Sequence, residues 1–146
     1  MSSNCTTQID EYEISVIIPT YDRPDQFRRC LDALAEQNHL PAEVIIIDDG
    51  RNHPINSSMV RDRLSNDVRV KILSSDGPAG TATARNTGAE AATAPIVLFL
   101  DDDVTLGESY IRKLKKLYET YDGPRLAGIG GYDDNLREPS SFERLY

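Results

Sequence analysis

Four short apolar runs stand out from an otherwise polar chain: ISVIIP at 14–19, EVIIID at 43–48, VRVKIL at 68–73 and IVLFL at 96–100. Their length and their β-branched and aromatic content predict strands. Pro19 is expected to end the first, because proline cannot donate to a sheet ladder. Pro95 precedes the fourth and excludes a helix running into it, so IVLFL reads as a buried strand. The segments between them follow a different period. Pro24 suits the first turn of a helix extending to about residue 37, and Phe27, Cys30, Leu31 and Leu34 give that helix one apolar face. Residues 51–67 are polar, with Met59, Val60 and Leu64 as a short helical face. After the turn-rich SSDGPAG comes an Ala-rich helix over about 81–92 carrying Arg85 and Asn86, whose small residues let it lie close to a sheet. A further helix is expected over about 107–121, with Ile111, Leu114, Leu117, Tyr118 and Tyr121 as its buried stripe, and RLAGIGGY at 125–132 reads as a last strand.

Strands alternating with helices at this spacing predict an α/β fold, a single domain built on a mainly parallel sheet with helices on both faces. The domain is expected to span 14–132, after a polar lead-in at 1–13 and before a polar tail at 133–146.

Composition narrows the partners. The chain has 146 residues and a net charge of −8, which argues against a nucleic-acid backbone or an anionic membrane surface as its main partner. A phosphorylated small ligand needs only local positive charge or a metal, and 12 of the 16 basic residues are Arg, which binds phosphate bidentately. The longest apolar run, Ala94 to Leu100, is far short of the ~20 residues a membrane helix requires. No basic segment followed by an apolar one opens the chain, so no secretory signal is read and a cytoplasmic location is expected, if need be at the cytoplasmic face of a membrane. Cys5 and Cys30 lack metal-ligand spacing and are read as reduced thiols. His39 and His53 fall in polar loops without paired ligand spacing.

The chemistry concentrates where strands end. IVLFL stops at Asp101, Asp102 and Asp103; EVIIID stops at Asp48 and Asp49; ISVIIP is followed by Thr20, Tyr21, Asp22 and Arg23. In open α/β sheets the C-terminal strand edge is where ligands bind. Two carboxylates 4 Å apart repel by about 4 kcal/mol near a protein surface, so three in a row call for solvent, protons or a cation. The turn after the first strand, PTYDRPD, has no glycine to cradle a pyrophosphate as a dinucleotide site would, and no GxxxxGK[ST] occurs. A diphosphate here would need a metal, and hard Mg²⁺ or Mn²⁺ suits carboxylate and phosphate oxygens.

ISVIIPTYDR, EVIIIDDG and ARNTGAEAATAPIVLFLDDD, in this order and spacing, resemble the nucleotide-binding half of family 2 glycosyltransferases with the Rossmann-like GT-A fold. The resemblance covers residues 14 to about 132. It implies transfer of a sugar from a nucleoside diphosphate donor, a UDP-sugar being favoured, to an acceptor glycan, free or lipid-linked, with inversion at the anomeric carbon. It also implies that Pro19, Thr20 and Tyr21 lie beside the base and that Asp48 or Asp49 bonds its polar edge. Arg23 and Arg85 become candidates for the phosphates or for orienting the acids. Asp103 is the first choice as metal ligand, with Asp101 and Asp102 sharing ribose and second metal contacts.

Each residue also has a plainer reading: Tyr21 as cover for the sheet edge, Asp48 and Asp49 as turn caps, Arg85 as the partner of a nearby acid, Asn86 as a satisfied helix polar group. Two features depart from the family pattern. The loop after the second strand reads GRNHPINSS where small polar residues are usual. The acceptor half, with its catalytic carboxylate, is expected beyond the last strand, where Asp133, Asp134, Glu138 and Glu143 sit in no recognised motif. The chain is therefore read as a donor-binding half, truncated before the acceptor-binding half, with its catalytic base unassigned. A non-catalytic module that binds a nucleotide sugar or a protein is the alternative. DDDVTL also matches the DxDx[TV][LV] string of haloacid dehalogenase-like phosphatases, but that family places it on the first strand and needs downstream motifs that these residues do not supply.

Overall fold

A computed structural model describes residues 12–75, 80–121 and 127–131. Four strands, β1 (Ile14–Thr20), β2 (Glu43–Asp48), β3 (Arg69–Leu73) and β4 (Ile96–Phe99), alternate with α1 (Pro24–Ala35), α2 (Ser57–Arg61), α3 (Thr81–Ala91) and α4 (Tyr110–Thr120). All strand pairs are parallel, and the order is β3-β2-β1-β4. The chain thus builds outward from β1 on one side and then crosses to place β4 on the other. Between β1 and β4 the direction of building reverses, so the loops leaving these two strands part and open a crevice.

Two apolar layers flank the sheet. Ile14, Val16, Ile18, Val44 and Ile46 point to one face, where Phe27, Cys30, Leu31 and Leu34 of α1, Val60 of α2, and Ile111 and Leu114 of α4 cover them. Ile17, Ile45 and Ile47 point to the other and meet Ala84 of α3. The alternation along β1 and β2 is the period-2 geometry of a strand, and both faces are apolar because both are covered. Gly88 lets α3 lie close, since a Cβ there would overlap Ile17 Cγ2.

Several sequence expectations are corrected. β1 continues one residue past Pro19, with Pro19 in register with Ile47. The β4 pairing stops at Ile17, so the missing proline N–H leaves no bond to β4 unmade. β4 is an edge strand among the described residues rather than a buried one: Ile96 is buried but Phe99 is 48 % exposed. In α4 the buried stripe is Ile111 and Leu114 with Tyr118 partly covered, while Leu117 and Tyr121 face solvent. The segment 127–131 forms no strand. The remainder of the expected last strand, the lead-in as far as residue 11, including Cys5, and the acids of the tail lie outside the described residues.

Candidate functional site at the strand ends

The crevice between the β1 and β4 loops is a cavity of about 580 Å³, within the size range of small-ligand sites. Pro19, Thr20, Tyr21 and Arg23 line it from the end of β1, Asp49 from the end of β2, and Asp101, Asp102 and Asp103 from the end of β4. The structure adds three residues that sequence reading did not name: Gly80, Thr81 and Ala84, from the start of α3. Gly80 occupies the N-cap position without a side-chain cap, so the first amides of α3 carry no side-chain acceptor there. The signal for this was limited to position, small residues opening a helix just after a loop. Asp48 and Arg85 are not in the lining, and Asn86 is exposed on α3.

The three consecutive acids have separate partners. Asp102 is buried; its Oδ2 accepts the Thr20 hydroxyl at 2.8 Å and its Oδ1 lies 3.5 Å from Arg23 Nη1. Asp103 lies 3.7 Å from the same Arg23 atom, and Asp101 pairs with Arg85 Nη2 at 2.6 Å. Two arginines therefore oppose the repulsion within the cluster. Asp101 and Asp103 keep half-exposed side chains, whereas Asp102 is committed to its neighbours. Among the described residues no group of three His, Cys, Asp or Glu side chains is arranged to hold a metal ion. Beneath the cluster, Cys30 Sγ donates to the Asp101 carbonyl at 3.6 Å. Burial, reinforced by the charges of Asp102, Asp103 and Asp101, pushes this thiol up to about 12, so it stays protonated.

The β2 acids are held by two different loops. Asp48 accepts the Gly50 N–H at 3.0 Å and the Ile55 N–H at 2.7 Å, which caps the turn after the strand. Asp49 accepts the Ser75 N–H at 2.7 Å and bonds the Ser75 hydroxyl, and so ties β2 to the loop after β3. Asp22, next to the cavity, accepts N–H groups from Asn52 and His53. Its desolvation raises the pKa, and the hydrogen bonds from Asn52, His53 and Arg51 outweigh that, leaving the carboxyl below its ordinary value.

Comparison with known proteins fits this architecture. Residues 15–138 match the family model described as glycosyl transferase family 2. Validoxylamine A glucosyltransferase of Streptomyces hygroscopicus subsp. limoneus is 37 % identical over 136 residues, which is 86 % of this chain and 28 % of that protein. Glucosyl-dolichyl phosphate glucuronosyltransferase of Haloferax volcanii is 29 % identical over 140 residues, 92 % of this chain and 44 % of that one. Among solved structures, S. aureus TarS superposes with a TM-score of 0.59 at 25 % identity, covering 74 % of this chain and 20 % of that one; TarS 1–349 has also been solved in complex with UDP and with UDP-GlcNAc. The chain spans less than half the length of each of these proteins. DDDVTL follows the fourth strand rather than the first, which removes the phosphatase alternative along with the family match. The order of strands, the position of the acids and the match over most of its length make this chain a member of glycosyl transferase family 2.

Proposed function

We propose that the cavity at the ends of β1 and β4 binds the nucleoside diphosphate of a sugar donor, UDP in the first instance, and that the chain serves sugar transfer from it with inversion. The observation that carries this reading is the position of the cavity at the point where strand order reverses, with an aromatic ring, two arginines and three acids brought to one edge. Tyr21, half exposed at the lining, offers a face on which a base can stack. Thr20 holds Asp102, while Asp101 and Asp103, paired with Arg85 and Arg23, keep half-exposed side chains that a ligand can reach.

Those two carboxylates fit a hard divalent cation that takes one or two protein oxygens and completes its shell with phosphate and water. Asp103 and Asp101 would hold Mg²⁺ or Mn²⁺, which would neutralise charge on a departing diphosphate. With a diphosphate present, Arg23, which lines the cavity, is the cation positioned to exchange an acid for a phosphate oxygen, and Arg85 orients Asp101. The acceptor in this reading is a glycan or lipid-linked glycan, and no described residue is assigned as the base that activates its hydroxyl. No helix among the described residues is long and apolar enough to cross a membrane.

Calorimetric titration of UDP, GDP and dTDP into the chain, with Mn²⁺ and with chelator, tests the reading. UDP is expected to bind, and to bind at least about tenfold more weakly with chelator or after Asp103→Ala, the effect of losing one charge-assisted contact. A folded chain that binds none of the three would refute it.

A further inference from the structure

The turn joining β1 to α1 passes through Asp22, the one non-glycine residue with a positive φ, 50°, among the described residues. A side chain disfavours this left-handed backbone, although Asp tolerates it better than most. The loop after β2 holds it in place. Asp22 Oδ1 accepts the Asn52 N–H at 2.8 Å and the His53 N–H at 3.0 Å, and Oδ2 accepts Asn52 Nδ2 at 2.9 Å. Gly50 makes the approach feasible, because a Cβ there would lie 2.8 Å from both the Asp22 nitrogen and Oδ1.

Asp22 does not line the cavity, but both of its neighbours do. Tyr21 projects at its rim, and Arg23 reaches Asp102 and Asp103. The geometry points to Asp22 as a positioning residue, which locks the β1 loop onto the β2 loop so that Tyr21 and Arg23 are presented to the ligand together. This inference rests on the donor-site reading above for the identity of that ligand. It assigns to the GRNH stretch a role through Asp22 rather than through direct contact.

The test compares Asp22→Asn, Asp22→Gly and Gly50→Ala with the unmodified chain, by melting temperature, by NMR amide exchange, and by UDP affinity with Mn²⁺. Asn keeps an acceptor and tolerates the left-handed backbone, so it is expected to retain both exchange protection and affinity. Gly relieves the backbone and removes the tether. Asp22→Gly is expected to keep its melting temperature, to speed exchange at Tyr21 and Arg23 as well as at Asn52 and His53, and to weaken UDP by about tenfold through lost preorganisation. Gly50→Ala, which displaces Asp22 without touching the cavity lining, is expected to act in the same direction. Faster exchange confined to residues 50–55, with Tyr21 and Arg23 unchanged, overturns the inference whatever UDP does. Coupled exchange in both loops supports it even if the unmodified chain fails to bind UDP, a failure that would count against the donor reading alone.

Discussion

At the residue scale, Thr20 decides how the three acids are used. Its hydroxyl donates to a buried Asp102 oxygen at 2.8 Å, and this fixes one carboxylate in place while the flanking two, paired with arginines, stay half exposed. Replacing it by the near-isosteric Val leaves that oxygen desolvated and without its donor. Thr20→Val is expected to destabilise the fold by about 1–3 kcal/mol, measured by urea unfolding; an unchanged midpoint would mean that water or Arg23 takes over. The acids themselves were visible in the sequence as a run, and so was the proximity of Thr20 to the same edge. Which acid would be buried was not, because 82 positions separate Asp102 from Thr20. Asp49 illustrates the same limit: its partner Ser75 sits 26 positions away in a loop without distinctive pattern.

At the element scale, the stop at Pro19 and the strand expected over 127–131 were misread, whereas the four strands and the helices between them were legible because each run has one period. Their neighbours were less so. IVLFL is as apolar as ISVIIP, yet among the described residues β1 lies between two strands and β4 against one, and only topology separates the two cases. Leu117 and Tyr121 fit a helical stripe on paper, but the sheet covers only the arc of α4 centred on Ile111 and Leu114. The close approach of α3 was readable from its small residues, and Gly88 tests it. Alanine is the better helix former by about 1 kcal/mol, which taken alone would make Gly88→Ala stabilising. Its Cβ would instead press on Ile17 in the sheet, and overpacking of this kind costs about 1–3 kcal/mol. A lowered melting temperature is expected, and a raised one would show that α3 can move away from the sheet freely.

At the scale of the whole molecule, the two ends of the sheet divide the work. The C-terminal edge gathers the candidate site, and the opposite end is fastened by Glu43, which is fully buried at the start of β2. It accepts the Ser15 hydroxyl of β1 at 2.6 Å and the Thr93 N–H before β4 at 2.5 Å, and lies 3.1 Å from Lys71 of β3. The sequence showed Glu43 only as a polar first residue of a strand. Burial alone would raise its pKa, but the bonds from Ser15 and Thr93 and the Lys71 ammonium outweigh it and lower the value from 4.5 to about 2. Because the unfolded chain then binds the proton more tightly, Glu43 contributes its stability fully above about pH 4.5 and loses it as pH falls towards 2. The contribution is of order 3 kcal/mol. Glu43→Gln is expected to flatten the fall in unfolding free energy between pH 4.5 and 2, and an unchanged slope would assign acid lability elsewhere. The central claim concerns the other end, and mapping UDP with Mg²⁺ onto the backbone amides by NMR tests it most directly. Shifts are predicted at Thr20 to Arg23, Thr81 to Arg85 and Asp101 to Asp103; shifts centred instead on Tyr12, His39 and Lys115 at the far side, or none at all, would contradict it.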